Sequence, residues 1–202
     1  MAYSDFKLRQ VQKAFQLSIV EKLGIFSGIA ERPISEYFAI TLEENIPLAV
    51  SINTEKARSE LLVSNVLVEV RKLFDRKISF FSGIEFNVDK ERSLAGFCDF
   101  IISLSPEQLF IEAPVIAVVE AKNENIMSGL GQCIAEMVAA QLFNQQEGNE
   151  LNNTYGVVTS GIGWKFLKLE KDKVFIDLKD YSIESEPQKI IGILSAMISQ
   201  AA

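Results

Sequence analysis

The chain of 202 residues contains no histidine. That absence removes the Ser-His-Asp and Cys-His nucleophile systems, the HExxH metal sites and every hydrolytic mechanism that uses a histidine base. Cysteine is scarce as well: Cys98 and Cys133 are the only two, far apart and without CxxC spacing. Two lone thiols build neither a disulfide framework nor a structural zinc site, and each is expected as a buried free thiol. A metal here must be held mainly by oxygen ligands, the preference of Mg²⁺ and Mn²⁺. The opening MAYSDFKLRQVQKAF lacks the basic-then-apolar pattern of a signal peptide. IIGILSAMISQAA is far shorter than a membrane span needs. The expectation is a cytoplasmic protein with no membrane partner.

Positive charge is the minority sign. Twenty Lys and Arg stand against 27 Asp and Glu, a net charge of −7. This counts against strong sequence-independent binding to nucleic acid, which is driven by neutralising phosphates. The distribution is uneven, however. Six basic residues lie between Lys56 and Lys77, and WKFLKLEKDK carries four lysines against two acids. Such clusters are ordinarily solvated faces, or local basic surface beside a phosphate-binding cleft.

The apolar content of 48% is that of a globular chain, and 202 residues suit one domain. Helical spacing over Phe6–Leu23 predicts a first helix, and ERPISEYFAITLEENIP a second, closed before Pro47. Leu62, Val63, Val66, Leu67, Val70 and Leu73 form the apolar stripe of a third, from about Lys56 to Phe74. ISFFSGIEFNVD, GFCDFIISLS and VIAVVEAK then read as strands. A helix over Ile126–Gln146, strands in TYGVVTS and WKFLKLEKDKVFIDL, and a last helix from near Pro187 complete the order. The fold class expected is α/β, a mixed sheet with helices on both faces. The expected division is a helical extension over 1–55, a core over 56–180 and a terminal helix over 186–202.

The chemistry concentrates in VIAVVEAKNEN. Five apolar residues run into Glu120, and Lys122 follows two positions later. Strand alternation puts Glu120 and Lys122 on the face of Ile116 and Val118, with Val115, Ala117, Val119 and Ala121 opposite. Acid-x-Lys pairs recur at Asp5/Lys7, Asp75/Lys77 and Asp177/Lys179, but only this one ends a strand apolar on both faces. In GFCDFIIS, Asp99 sits within an apolar run and must be compensated if buried; for a lone Asp, backbone amides or Lys122 itself would suffice. Two acids and a lysine at one sheet end describe an oxygen-lined pocket with a cation beside it.

Asp99 in one strand, Glu120-Ala121-Lys122 in the next and a helix after them resemble the PD-(D/E)XK nuclease superfamily, the restriction-endonuclease-like fold. The αβββαβ order from Lys56 to Val158 is similar to that family's core, and the likeness covers about Glu60 to Leu178. The resemblance implies Mg²⁺ (or Mn²⁺) bound by Asp99, Glu120 and the Ala121 carbonyl, with Lys122 activating the attacking water. It also implies a glutamate on the helix before the first core strand, Glu60 in preference to Glu69. A glutamine on the following helix would be Gln132, with Glu136 one turn later. The implied activity is phosphodiester hydrolysis, the implied partner DNA, and a homodimer is common among such enzymes. Cys98 stands where the family name has Pro.

Two other readings stay open: a non-catalytic regulatory or interaction protein of the same fold, and a structural ion network in an unrelated α/β domain. GLGQCI and SGIGWK complete no phosphate-binding glycine motif. Trp164 reads as a packing residue at a strand start.

Overall fold

The computed structural model describes residues 2–123 and 125–201; Met1, Glu124 and Ala202 lie outside the described residues. The expected mixed α/β architecture is present: an eight-stranded mixed sheet flanked by helices on both faces. In chain order the strands are β1 (Ser18–Lys22), β2 (Ser79–Glu85), β3 (Phe97–Ser103), β4 (Val115–Ala121), β5 (Thr154–Thr159), β6 (Gly163–Glu170), β7 (Lys173–Asp177) and β8 (Tyr181–Ser182). The sheet runs β1-β7-β6-β5-β4-β3-β2, with β8 on β6. β2, β3 and β4 form an antiparallel meander, and β5 joins β4 in parallel. That parallel step needs a crossover, supplied by α5 (Leu130–Gln146).

One face is covered by α2 (Glu36–Ile52), α4 (Ser64–Leu73) and α6 (Pro187–Ala201), and the other by α1 (Leu8–Ala14) and α5. α4 lays Val66, Leu67 and Val70 on the sheet, as its stripe predicts. Between α3 (Glu55–Arg58) and α4 the helix widens into a π turn, Ser59–Val63. Trp164 is fully buried and donates to the Gly161 carbonyl, and Cys98 and Cys133 are buried free thiols. Ile126–Gln146 is the one helical stretch among the described residues long and apolar enough to cross a membrane; 61% of its most apolar window is buried inside the fold.

Several boundaries differ from the pattern-based reading. Phe6–Leu23 is not one helix: α1 ends at Ala14, Gln16 takes φ 52°, and Ser18–Lys22 is a strand parallel to β7. The region 1–55 is therefore not purely helical. α2 does not stop before Pro47 but runs through it to a left-handed Asn53. Proline removes the helical hydrogen bond to the Glu43 carbonyl, and Glu43 is an exposed residue. WKFLKLEKDKVFIDL is a hairpin of β6 and β7.

Alternation also breaks in β4. The register steps from Ile102↔Ala117 to Ser103↔Val115, making Ile116 the extra residue of a bulge. Ile116 consequently packs with Ala117 and Val119, while Val115 packs with Val118 in the layer under α5. Strict alternation places Ile116 with Val118, and the bulge overrides it.

Asp177 ties the far side together. Fully buried, it accepts from the Gly24, Phe26 and Lys179 amides at 2.6, 3.1 and 2.9 Å and from the Tyr181 hydroxyl at 3.1 Å. Removing a buried acceptor leaves its donors desolvated, at about 1–3 kcal/mol for each group. Asp177→Ala should thus lower unfolding free energy in urea by roughly 3 kcal/mol or more. The exposed turn substitution Asp172→Ala should change it by less than about 0.5 kcal/mol.

Candidate functional site

β4 is buried at all seven positions, so Glu120 lies at the end of an apolar strand with 1% exposure. Burial, and then the charge of Asp99, push its carboxyl up to about 8, against the pull of Lys122. The Lys122 ammonium makes a close ion pair with Glu120 Oε1. The other oxygen, Oε2, accepts from Gln132 Nε2 at 2.8 Å. Burial draws the Lys122 pKa down, but Glu120, Glu55 and Asp99 outweigh it and the net shift is upward. The Lys122 amide donates to the Thr159 carbonyl at 2.7 Å, fixing the residue just past β4 beside β5. Gly129 leaves room for the lysine stem: a Cβ there would stand 2.7 Å from Val158 and 3.1 Å from Lys122 Cγ.

Asp99 owes its placement to a second irregularity. Ser82↔Phe100 and Ile84↔Cys98 pair on either side of it, and Gly83 between them takes φ +60°, a conformation glycine adopts without strain. Cys98 and Ile101 both pack in the α5 layer, so alternation breaks between them. The carboxyl accepts the Ala121 N–H at 2.8 Å beyond the last β3–β4 pair, Phe100↔Val119. Burial raises its pKa, opposed by that hydrogen bond and by Lys122. Asp99 and Ala121 also line a cavity of about 250 Å³ with Glu55, Lys56, Ser59, Glu60, Ser82 and Gly83.

The structure thus brings Asp99, Glu120, Ala121, Lys122 and Gln132 to one end of the sheet. Asp99 opens toward α3 and the π turn, whereas Glu120 is held from the α5 side. The charge of Asp99 acts on Glu120, and Lys122 acts on both. Glu136 joins from α5, fully buried, its Oε1 accepting from Gln132 Nε2 at 3.1 Å.

Glu60 lines the cavity, but its side chain is 64% exposed and 3.8 Å from Lys56. Glu69 is neither solvent-facing nor at the site. It is 2% exposed and accepts from the Ser35 amide and hydroxyl at 2.7 and 2.9 Å, securing the start of α2. Sequence reasoning missed Glu55, in the first turn of α3, whose charge acts on both Glu120 and Lys122. Its signal was the N-cap Thr54, which sets where that helix begins and which acid its first turn presents.

Among the described residues no group of three or more Cys, Asp or Glu is gathered as a metal cluster. The donors on hand are two carboxylates and a backbone carbonyl, an all-oxygen set suited to a hard divalent cation. Glu120 uses one lone pair on each oxygen, so acceptor capacity remains. Asp99 Oδ1 takes no hydrogen bond among the described residues. The cavity of about 250 Å³ has room for several waters.

No protein-family model matches the chain, and no curated protein matches it.

An unfolded glutamate ionises near 4.5 and Glu120 near 8, so the folded chain holds one more proton between those values. Stability from this group is full below the lower value and is lost as pH rises through the upper one. In denaturant titrations, wild type should lose up to about 1 kcal/mol per pH unit between pH 5 and 7.5 relative to Glu120→Gln. Parallel profiles would contradict the assignment.

Proposed function

We propose that the protein hydrolyses phosphodiester bonds in DNA at the Asp99–Glu120–Lys122 site, as a PD-(D/E)XK-type, Mg²⁺- or Mn²⁺-dependent nuclease. The observation that carries this reading is the buried Glu120 at the end of β4, paired to Lys122 and repelled by Asp99 beside a polar cavity. When both acids ionise they carry more negative charge than the partly exposed Lys122 offsets, and Glu120 therefore keeps a proton up to about 8. A divalent cation would take the place of that proton. The order α4-β2-β3-β4-α5-β5, with its antiparallel meander and parallel last strand, supports the same reading at the level of topology.

Asp99, Glu120 and the Ala121 carbonyl would hold the ion. When bound, the ion polarises the scissile phosphate and lowers the pKa of a water. Lys122, with 21% of its side chain exposed, offsets negative charge that develops on the phosphate, and Glu120 aims it. Glu55, rather than Glu60, is the acid on the facing helix whose charge acts on this pair.

A second reading is a non-catalytic interaction protein of the same architecture. The net charge of −7 and the engagement of both Glu120 oxygens favour it. The two readings separate in a cleavage assay on plasmid, single-stranded and branched DNA with Mg²⁺ or Mn²⁺. Catalysis requires that Glu120→Ala and Lys122→Ala each lose about 100-fold or more, and that Glu55→Ala lose more than Glu60→Ala. Activity surviving both of the first two substitutions removes the nuclease reading.

A further inference from the structure

Glu136 lies on α5 with 0% exposure. Its only hydrogen bond among the described residues is the one Oε1 accepts from Gln132; Oε2 has no partner there. Burial, and then Glu120, push its pKa well above the carboxylate range. A carboxyl so placed destabilises the fold relative to an apolar side chain of similar volume, and its immediate neighbours on α5 are apolar, including Cys133, Ile134 and Met137. Packing therefore gives no reason for an acid at this position.

The hydrogen bonds give one. Gln132 Nε2 donates to Glu120 Oε2 at 2.8 Å and to Glu136 Oε1 at 3.1 Å, so both amide hydrogens point at carboxyl groups. A primary amide turned by 180° would present its carbonyl oxygen to both acceptors and be repelled by each. With Glu120 alone as acceptor, the second hydrogen is undirected and the amide swings on its side chain.

We propose that Glu136 is a positioning residue: it locks the Gln132 amide, and through it holds Glu120 in the orientation that meets Lys122. This rests on the nuclease reading for its kinetic consequence, but not for its structural one. Gln132 is the link, four residues before Glu136 and therefore one turn away on the same helix face. Glu136 touches neither the cavity nor Lys122, and acts only through that link.

The test uses the full chain with Glu136→Met, Glu136→Gln, Gln132→Met and the double methionine variant. Glu136→Met should keep or raise the melting temperature while lowering kcat at least tenfold with KM within about threefold. A merely structural role moves stability and activity down together. Glu136→Gln supplies an acceptor oxygen again and should restore kcat to within about threefold of wild type. Gln132→Met should match Glu136→Met, and the double variant should lose no more than either alone, as expected of residues acting in series. Independently of cleavage, the Gln132 side-chain amide protons should shift upfield and exchange faster in Glu136→Met by ¹⁵N-resolved NMR. Unchanged amide signals, or wild-type kcat in Glu136→Met, overturn the proposal. If wild type cleaves nothing, the nuclease reading has failed, and the amide signals alone decide whether Glu136 positions Gln132.

Discussion

A carboxylate at the end of a wholly buried strand is the constraint around which the rest is arranged. Glu120 cannot be hydrated, and each of its oxygens must be met by the protein. Lys122 meets one and Gln132 the other. Each partner in turn imposes a condition: Gly129 must lack a side chain for the Lys122 stem to pass, and α5 must start where Gln132 reaches the strand end. The position of α5 follows from the parallel pairing of β4 and β5, which needs a long crossover connection. A local electrostatic demand and the topology of the sheet thus converge on the same few residues.

The site is also where regular geometry is suspended. Alternation fails at Asp99 opposite Gly83, the bulge at Ile116 re-phases β4, and the helix over the cavity widens at Ser59–Val63. Bulges and π turns re-aim side chains and are found disproportionately beside functional sites. Here two of the three open onto one cavity, through Ser59, Glu60, Gly83 and Asp99. The bulge at Ile116 lies further down the strand and sets which of its apolar residues face each helical layer.

Much of this was readable from residue order. Strands β2 to β5, the α5 crossover and the terminal helix declare themselves through apolar periodicity, and Glu120-x-Lys122 stands out because its strand is apolar on both sides. What failed was legible only in three dimensions. Ser18–Lys22 is a strand because β7 offers it an edge, and such long-range pairing leaves no helical or strand period strong enough to override SIVEK's neighbours. Pro47 removes one hydrogen bond without ending α2, whose packing through Phe38, Leu42 and Ala49 carries the helix on to Ile52. Glu69 looked like a site acid or a surface residue and instead caps α2, since its partner Ser35 is 34 positions away. Glu55 was passed over because its distance to Glu120 depends on how α3 and the π turn dock.

If Asp99 and Glu120 form a cation site, a divalent ion takes the place of the proton that Glu120 keeps up to about 8. Isothermal titration of Mn²⁺ into wild type and Asp99→Asn measures this directly. A cation site there gives saturable binding of about one ion per chain in wild type, abolished in Asp99→Asn while the fold is retained. No saturable binding to wild type, or equal binding to the variant, would contradict it.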